Sequence, residues 1–313
     1  ATVSKTVGRG FEPCCPCQAH RKTMRGGPET PMTPTLVMHI GAHKTATTHL
    51  QRSILQSREA LAQTGVRVFG PQQLRGAHPT VLQRFDLPGA KKTLGDPQGS
   101  FASMIGNGHR LVLSEENVIG SVLNRFGKMP EPLYPDAELR LSDLADKVAP
   151  QGIDLCLGVR QPTNFLNSAF SQHLMSGGSV LLKKFLWKNP PRFVDWANLV
   201  SRLVALPQVR SLVVWRYEDY PGVFGQVTEA ILGAAAAKLV RPIESVVHPG
   251  VSQEAAVQIE KMHAEGANGP FWETVKATYP AGPNAPRFTA FRQIEHAASR
   301  VGYGLQMRKI AAM

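Results

Sequence analysis

The chain has 313 residues, 42% of them hydrophobic and 19% charged, and its 35 Lys and Arg against 23 Asp and Glu leave a net charge of +12. That length suits one large domain or two small ones, with a core that needs no covalent staples, and the composition excludes collagen-like, coiled-coil and wholly disordered chains. The basic surplus favours anionic partners, but no run of five or more Lys and Arg points to nucleic acid, and no uncharged apolar run approaches the roughly 18 residues of a membrane span.

Residues 1–31 carry Lys5, Arg9, Arg21, Lys22 and Arg25 against Glu12 and Glu29, without a periodic apolar pattern. They also lack the apolar core of about seven residues that a signal peptide requires. They read as a disordered leader or an added segment, with Met32 as the natural start and 32–313 as a single α/β domain with a helical C-terminal part. That body keeps 30 basic and 21 acidic residues, a net of +9. Cys14, Cys15 and Cys17 crowd three sulfurs into a tight arc with no second pair to complete a zinc set, so no metal is expected there. Cys156 lies in an apolar run and reads as a buried thiol. Four cysteines so placed make no disulfide framework, and a reducing cytoplasm is the expected compartment.

Thr35–Gly41 (TLVMHIG) is a short apolar run followed by turn residues, which predicts a buried strand. A helix is expected over 47–63, a strand over 66–69, and mostly loop over 70–100 with one helix near 79–85. A strand follows at 110–113, then a proline-rich loop at 127–136, a helix at 138–148 and a strand at 153–159. Helices are expected from Pro162 to about Met175, from Pro191 to Leu206 and near 222–235, with a strand at 209–215 before the last of these. The final third offers helices at 252–265 and 289–300. Strand–helix alternation over the first 235 residues predicts a parallel sheet of about five strands covered by helices on both faces. Such sheets bind ligands beyond the carboxyl ends of their strands.

After the first strand stands Gly41-Ala42-His43-Lys44-Thr45-Ala46-Thr47-Thr48. A strand, a small-residue loop and a helix start make an anion cradle of backbone N–H groups, to which Thr47, Thr48 and Lys44 add hydroxyls and a charge. The same residues also read as a polar turn with an ordinary N-cap. The ATP-binding loop requires Gly-Lys-Ser/Thr where Ala46, Thr47 and Thr48 stand, so the lysine is displaced. Arg160 ends the strand at 153–159 and Ser168 follows eight residues on, with Asn164 one turn before it; a forked cation at a strand end suits a phosphate, or a structural ion pair. Glu115 and Glu116 end the strand at 110–113 and read either as a general base for an attacking hydroxyl or as solvated caps of the next helix. His43 is a second candidate base; His78, His109 and His173 are read as incidental.

The pattern strand-Gly-x-x-Lys-Thr-x-Thr-Thr-x-Leu-Gln, joined to Arg160 and Ser168, resembles the sulfotransferases that use 3′-phosphoadenosine 5′-phosphosulfate (PAPS). The resemblance spans about residues 35–235 and implies a P-loop nucleotide-kinase-like fold, PAPS as donor and 3′,5′-adenosine bisphosphate (PAP) as product, with no metal. It implies that Gly41, Lys44, Thr45, Ala46, Thr47 and Thr48 cradle the 5′-phosphosulfate and that Arg160 and Ser168 hold the 3′-phosphate. Bacterial-type relatives carry a Glu directly after the third strand; Glu116 matches it by position, with Glu115 second. Tyr217, in Tyr217-Glu218-Asp219, is implied to lie near the adenine, a core-edge tyrosine being the other reading. Arg287 is the expected C-terminal contact to the 3′-phosphate, with Arg292 as competitor. The family commonly has Gly where Ala46 stands, and a helical Ala46 is expected here. A P-loop kinase and a non-catalytic anion-binding protein are the rival readings. The acceptor, a hydroxyl or amine on a saccharide, lipid headgroup or phenol, is not encoded in any readable motif; no nucleic acid and no transmembrane segment are expected.

Overall fold

The computed structural model describes residues 34–244, 250–267 and 269–313. The expected leader, Met32 and the cysteine trio lie outside the described residues. The predicted parallel sheet is present. Strands β1 (Thr35–Gly41), β2 (Val66–Phe69), β3 (Arg110–Ser114), β4 (Ile153–Val159) and β5 (Val209–Arg216) form one sheet in the order β2-β3-β1-β4-β5, every pairing parallel.

The two-residue period of a strand divides β1 between two cores. Leu36, Met38 and Ile40 join one cluster, under helices Ala137–Val148, Pro162–Met175 and Trp196–Val204, with Leu141, Phe165, Trp196 and Leu199. Val37 joins the other, with Leu50 and Ile54 of helix Thr47–Leu55 and Val227 and Ile231 of helix Tyr220–Leu232. Cys156 is buried in this second cluster. Among the described residues no helix is long and apolar enough to cross a membrane.

Several element boundaries differ from expectation. The helix predicted over 47–63 divides into Thr47–Leu55 and Arg58–Gln63, because Ser57 leaves helical geometry and its hydroxyl donates to the Leu239 carbonyl at 2.7 Å. The helix predicted from Pro191 becomes a single turn, Pro191–Phe193, then Trp196–Val204, started by Asp195 accepting from the Asn198 N–H. The helix expected near 79–85 is Val81–Arg84, and two further short helices, Pro71–Leu74 and Pro97–Ile105, begin in the segment read as mostly loop. Leu182–Lys188 and Phe271–Thr278 are helices that the periodicity did not indicate, and the closing helix is Gln293–Ala311, running through Gly302 and Gly304.

His39 sits in the middle of the sheet. It is 1% exposed, its Nδ1 is 2.6 Å from Ser114 Oγ, and its ring stacks on Trp215. Burial lowers its pKa to about 4, with the Glu116 charge offsetting part of the effect. An unfolded chain binds this proton near pH 6.5, whereas the folded chain resists it down to about pH 4, so folding loses stability as pH falls through that window, by about 3 kcal/mol in all. His43 and His173 are lowered by burial in the same direction. The urea midpoint of the native protein is therefore expected to fall between pH 6.5 and 4, and in His39→Gln to fall less steeply; an identical slope in the variant contradicts the assignment.

Candidate functional site

The carboxyl ends of the central strands open into a cleft of about 880 Å³. Its walls include His43, Lys44, Ala46, Thr47, Thr48, Glu116, Arg160, Ser168, Tyr217 and Arg287, so ten sequence-derived candidates converge on one space. Gly41, Thr45 and Glu115 are buried behind the wall and do not line it. Thr45 spends its hydroxyl on the Ala42 carbonyl at 2.5 Å. Arg292 pairs with Glu295 instead of lining the cleft.

The first loop turns on left-handed backbone. Gly41, Lys44 and Ala46 have φ of 93°, 64° and 65°. The helical Ala46 expected from the sequence is corrected: Ala46 is the left-handed N-cap of Thr47–Leu55, a geometry that costs an alanine roughly 1–2 kcal/mol. No side chain caps that helix, so its first N–H groups face the cleft with the positive end of the dipole. Gly41 is required twice over. Its φ disfavours a side chain, and a Cβ there would stand 2.9 Å from the Glu116 Cβ.

The cations of the cleft are held close together. Arg160 donates through Nη1 to the Lys44 carbonyl at 2.9 Å, and its guanidinium lies 4.2 Å from the centre of the Tyr217 ring. Its buried Nε has no hydrogen-bond partner among the described residues. Burial lowers the pKa of Arg160. Burial, then the Arg160 charge, lowers that of Lys44. An anion in the cleft relieves both effects and accepts the unused N–H. Ser168 faces this group from Pro162–Met175, a helix whose N-cap Gln161 accepts from the Asn164 N–H. Arg287 arrives from the C-terminal third, on a segment bridged to Ser252.

The acidic end is organised by Arg75, which the sequence reading passed over inside a presumed loop. Arg75 donates to both Glu115 oxygens at 2.7 Å and reaches Glu116 Oε1 at 3.0 Å. Glu115 also accepts from the Asn117 N–H, capping the single turn Glu116–Ile119. Glu116 lines the cleft and accepts from Gln51 Nε2. Burial alone would raise its pKa; the charge of Arg75, then that of His43, and the Arg75 hydrogen bond outweigh burial and hold it below the ordinary carboxylate value.

His43 is fixed by two partners outside any motif. Asn117 Oδ1 accepts from Nε2 at 3.1 Å, which leaves Nδ1 to accept from the Tyr134 hydroxyl at 3.0 Å. Burial lowers the pKa of the ring, with the Glu116 charge and the Asn117 hydrogen bond opposing it. Both ring nitrogens are thereby engaged. At the far end of the cleft, His49 Nε2 donates to the Ile243 carbonyl and Nδ1 accepts from Tyr220, beside Phe224 and Pro221. Tyr134 and Arg75 follow Pro- and Gly-rich sequence and carry no spacing signal. Two substitutions test the loop geometry by urea unfolding: Gly41→Ala is expected to destabilise by about 2 kcal/mol or more, whereas Ala46→Gly stays within about 1 kcal/mol of the native protein. The reverse ranking contradicts the left-handed loop.

No family model matches this chain, and no curated protein does. Among solved structures, a sulfotransferase from Alicyclobacillus acidocaldarius is similar at 14% identity, covering 77% of this chain and 98% of its own, with a TM-score of 0.42.

Proposed function

We propose that this protein is a sulfotransferase that takes PAPS as donor and passes its sulfuryl group to a hydroxyl or amine acceptor. The observation that carries the reading is the joining of the uncapped Gly41–Thr48 loop to Arg160 by the hydrogen bond to the Lys44 carbonyl, with an unused buried Nε on that arginine. Two anion sites follow, one at the loop and one at Arg160 and Ser168, with Tyr217 against the Arg160 guanidinium and Arg287 also lining the cleft. A donor bearing phosphates at both its 5′ and 3′ ends fits that charge distribution. A kinase would place a lysine where Thr47 stands.

PAPS, when bound, supplies a sulfuryl group on a phosphate leaving group. In this reading Lys44 and the free N–H groups of helix Thr47–Leu55 bind the 5′ end and stabilise charge that develops there. Thr47 and Thr48 add hydroxyl donors. Arg160, Ser168 and Arg287 recognise the 3′-phosphate. Glu116 takes the proton of the acceptor as it attacks, and Arg75 fixes the carboxylate toward the cleft. Glu115, fully engaged by Arg75 and the Asn117 N–H, supports Arg75. His43 orients the loop and leaves the proton to Glu116.

Calorimetric titration of the metal-free protein with PAP, with ADP as control, tests the reading. PAP is expected to bind more tightly than ADP, and Arg160→Ala to weaken PAP by roughly 10- to 100-fold, the worth of a hydrogen bond to a charged group. Equal or preferred ADP binding, or a requirement for Mg²⁺, overturns it in favour of a kinase-like enzyme. Glu116→Gln is expected to bind PAP normally and to lower PAPS turnover by about 10²-fold or more. Because Glu116 is held ionised, the acid limb of the turnover profile should lie below the ordinary carboxylate range and move to higher pH in Arg75→Ala.

A further inference from the structure

The loop at 120–130 and the segment at 176–194 come together on a surface that the cleft does not use. Asn189 ties them: its Oδ1 accepts from the Met129 N–H at 2.7 Å and its Nδ2 donates to the Gly127 carbonyl at 2.8 Å. Lys188 Nζ donates to the Phe126 carbonyl at 3.0 Å. Neither segment contains an acidic residue. Together they carry Arg125, Lys128, Lys183, Lys184, Lys188 and Arg192.

Large apolar side chains stand among these cations. Trp187 is 81% exposed and Phe126 57%. Helix Leu182–Lys188 buries Phe185 and thereby turns Trp187 outward, with Lys183 and Lys184 one turn before it on the same side. Leu181 adds a third exposed apolar group at the start of that helix. The Arg125 guanidinium lies 4.6 Å from the centre of the Phe126 ring. The helix is anchored from below, where Glu260 accepts from the Leu182 N–H.

We propose that this surface docks the protein on an anionic lipid bilayer. The cations meet the negative headgroups, and the indole and phenyl rings enter the interface below them, where amphipathic and aromatic groups are favoured. A soluble polyanion would pair with the lysines and leave Trp187 in water. A second copy of the chain would bring like charges together. The bilayer is the occupant that uses both the charge and the exposed rings. The surface lies next to the cleft: Gln172 lines the cleft, and the following His173 accepts from the Val180 N–H beside Gly127.

The experiment is co-sedimentation of the full chain with phosphatidylcholine vesicles containing about 30% phosphatidylserine, and with phosphatidylcholine alone. The protein is expected to pellet only with the anionic vesicles and to be released by high salt. Its tryptophan emission is expected to shift to the blue; Trp196 and Trp215 are buried and Trp272 partly so, which leaves Trp187 as the group whose surroundings change most. Lys183→Ala with Lys184→Ala should weaken partition by roughly 30-fold, from the worth of each basic residue at such a surface. Trp187→Ala should remove the blue shift and weaken binding. These side chains are exposed, so the thermal midpoint of each variant should match the native protein. Equal binding to neutral vesicles, unchanged binding by the variants, or binding to heparin without a blue shift and without vesicle binding overturns the proposal.

Discussion

The cleft depends on one hydrogen bond, from Arg160 to the Lys44 carbonyl. It joins the end of β4 to the loop after β1 across 116 residues and holds two desolvated cations side by side. Such a pair is costly in a protein interior, and removing the water around it sharpens the cost. The surrounding structure compensates on fixed geometry. The Arg160 carbonyl accepts from Trp196 Nε1 at 2.7 Å, and the guanidinium rests on Tyr217. The Ala42 N–H donates to the Gly158 carbonyl at 2.7 Å, so the loop and β4 are connected by backbone as well as by side chain. The consequence is a pair of cations held close together by several elements at once.

The acidic end follows the opposite logic. Two adjacent carboxylates on one short turn would repel each other if left alone. Arg75 neutralises one charge of the pair and leaves a net negative charge beside the cations of the loop. The two ends of the cleft therefore differ in sign over a short distance, and a ligand is oriented by charge before it makes any shape-specific contact. Gly41 permits that closeness, since any side chain there would push Glu116 away.

Much of this was legible in the amino-acid sequence. The apolar runs at 35–41 and 153–159 mark strands that are buried on both faces, and such strands need no other signal. The loop at Gly41–Thr48 and the pair Arg160 and Ser168 are short motifs at strand ends, and topology brings strand ends of a parallel sheet together. What was illegible depends on contacts with no local periodicity. Arg75 and Tyr134 sit in Pro- and Gly-rich segments whose shape is set by what they pack against. Ala46 was misread because alanine favours helices, and its left-handed backbone is imposed by the loop it closes. Phe185, Trp187 and Trp196 look alike in sequence, yet Phe185 and Trp196 are core residues and Trp187 faces water, a difference decided by which face of each short helix meets the core.

The strand order carries a consequence for how the chain reaches this state. β1 is central in the sheet but early in the sequence, and both of its neighbours, β3 and β4, come much later. Every pairing in this sheet is parallel, so none of its strands can close first as a hairpin. During synthesis, residues 35–41 must remain without a strand partner until 110–114 have emerged, and the loop at Gly41–Thr48 is not tied down until Arg160 has followed. Nonlocal pairing of this kind makes folding slow and leaves an apolar strand open to wrong partners meanwhile. The geometry that preorganises the cleft is thus also its kinetic burden: the loop after β1 is not fixed until the fourth of the five strands has been made.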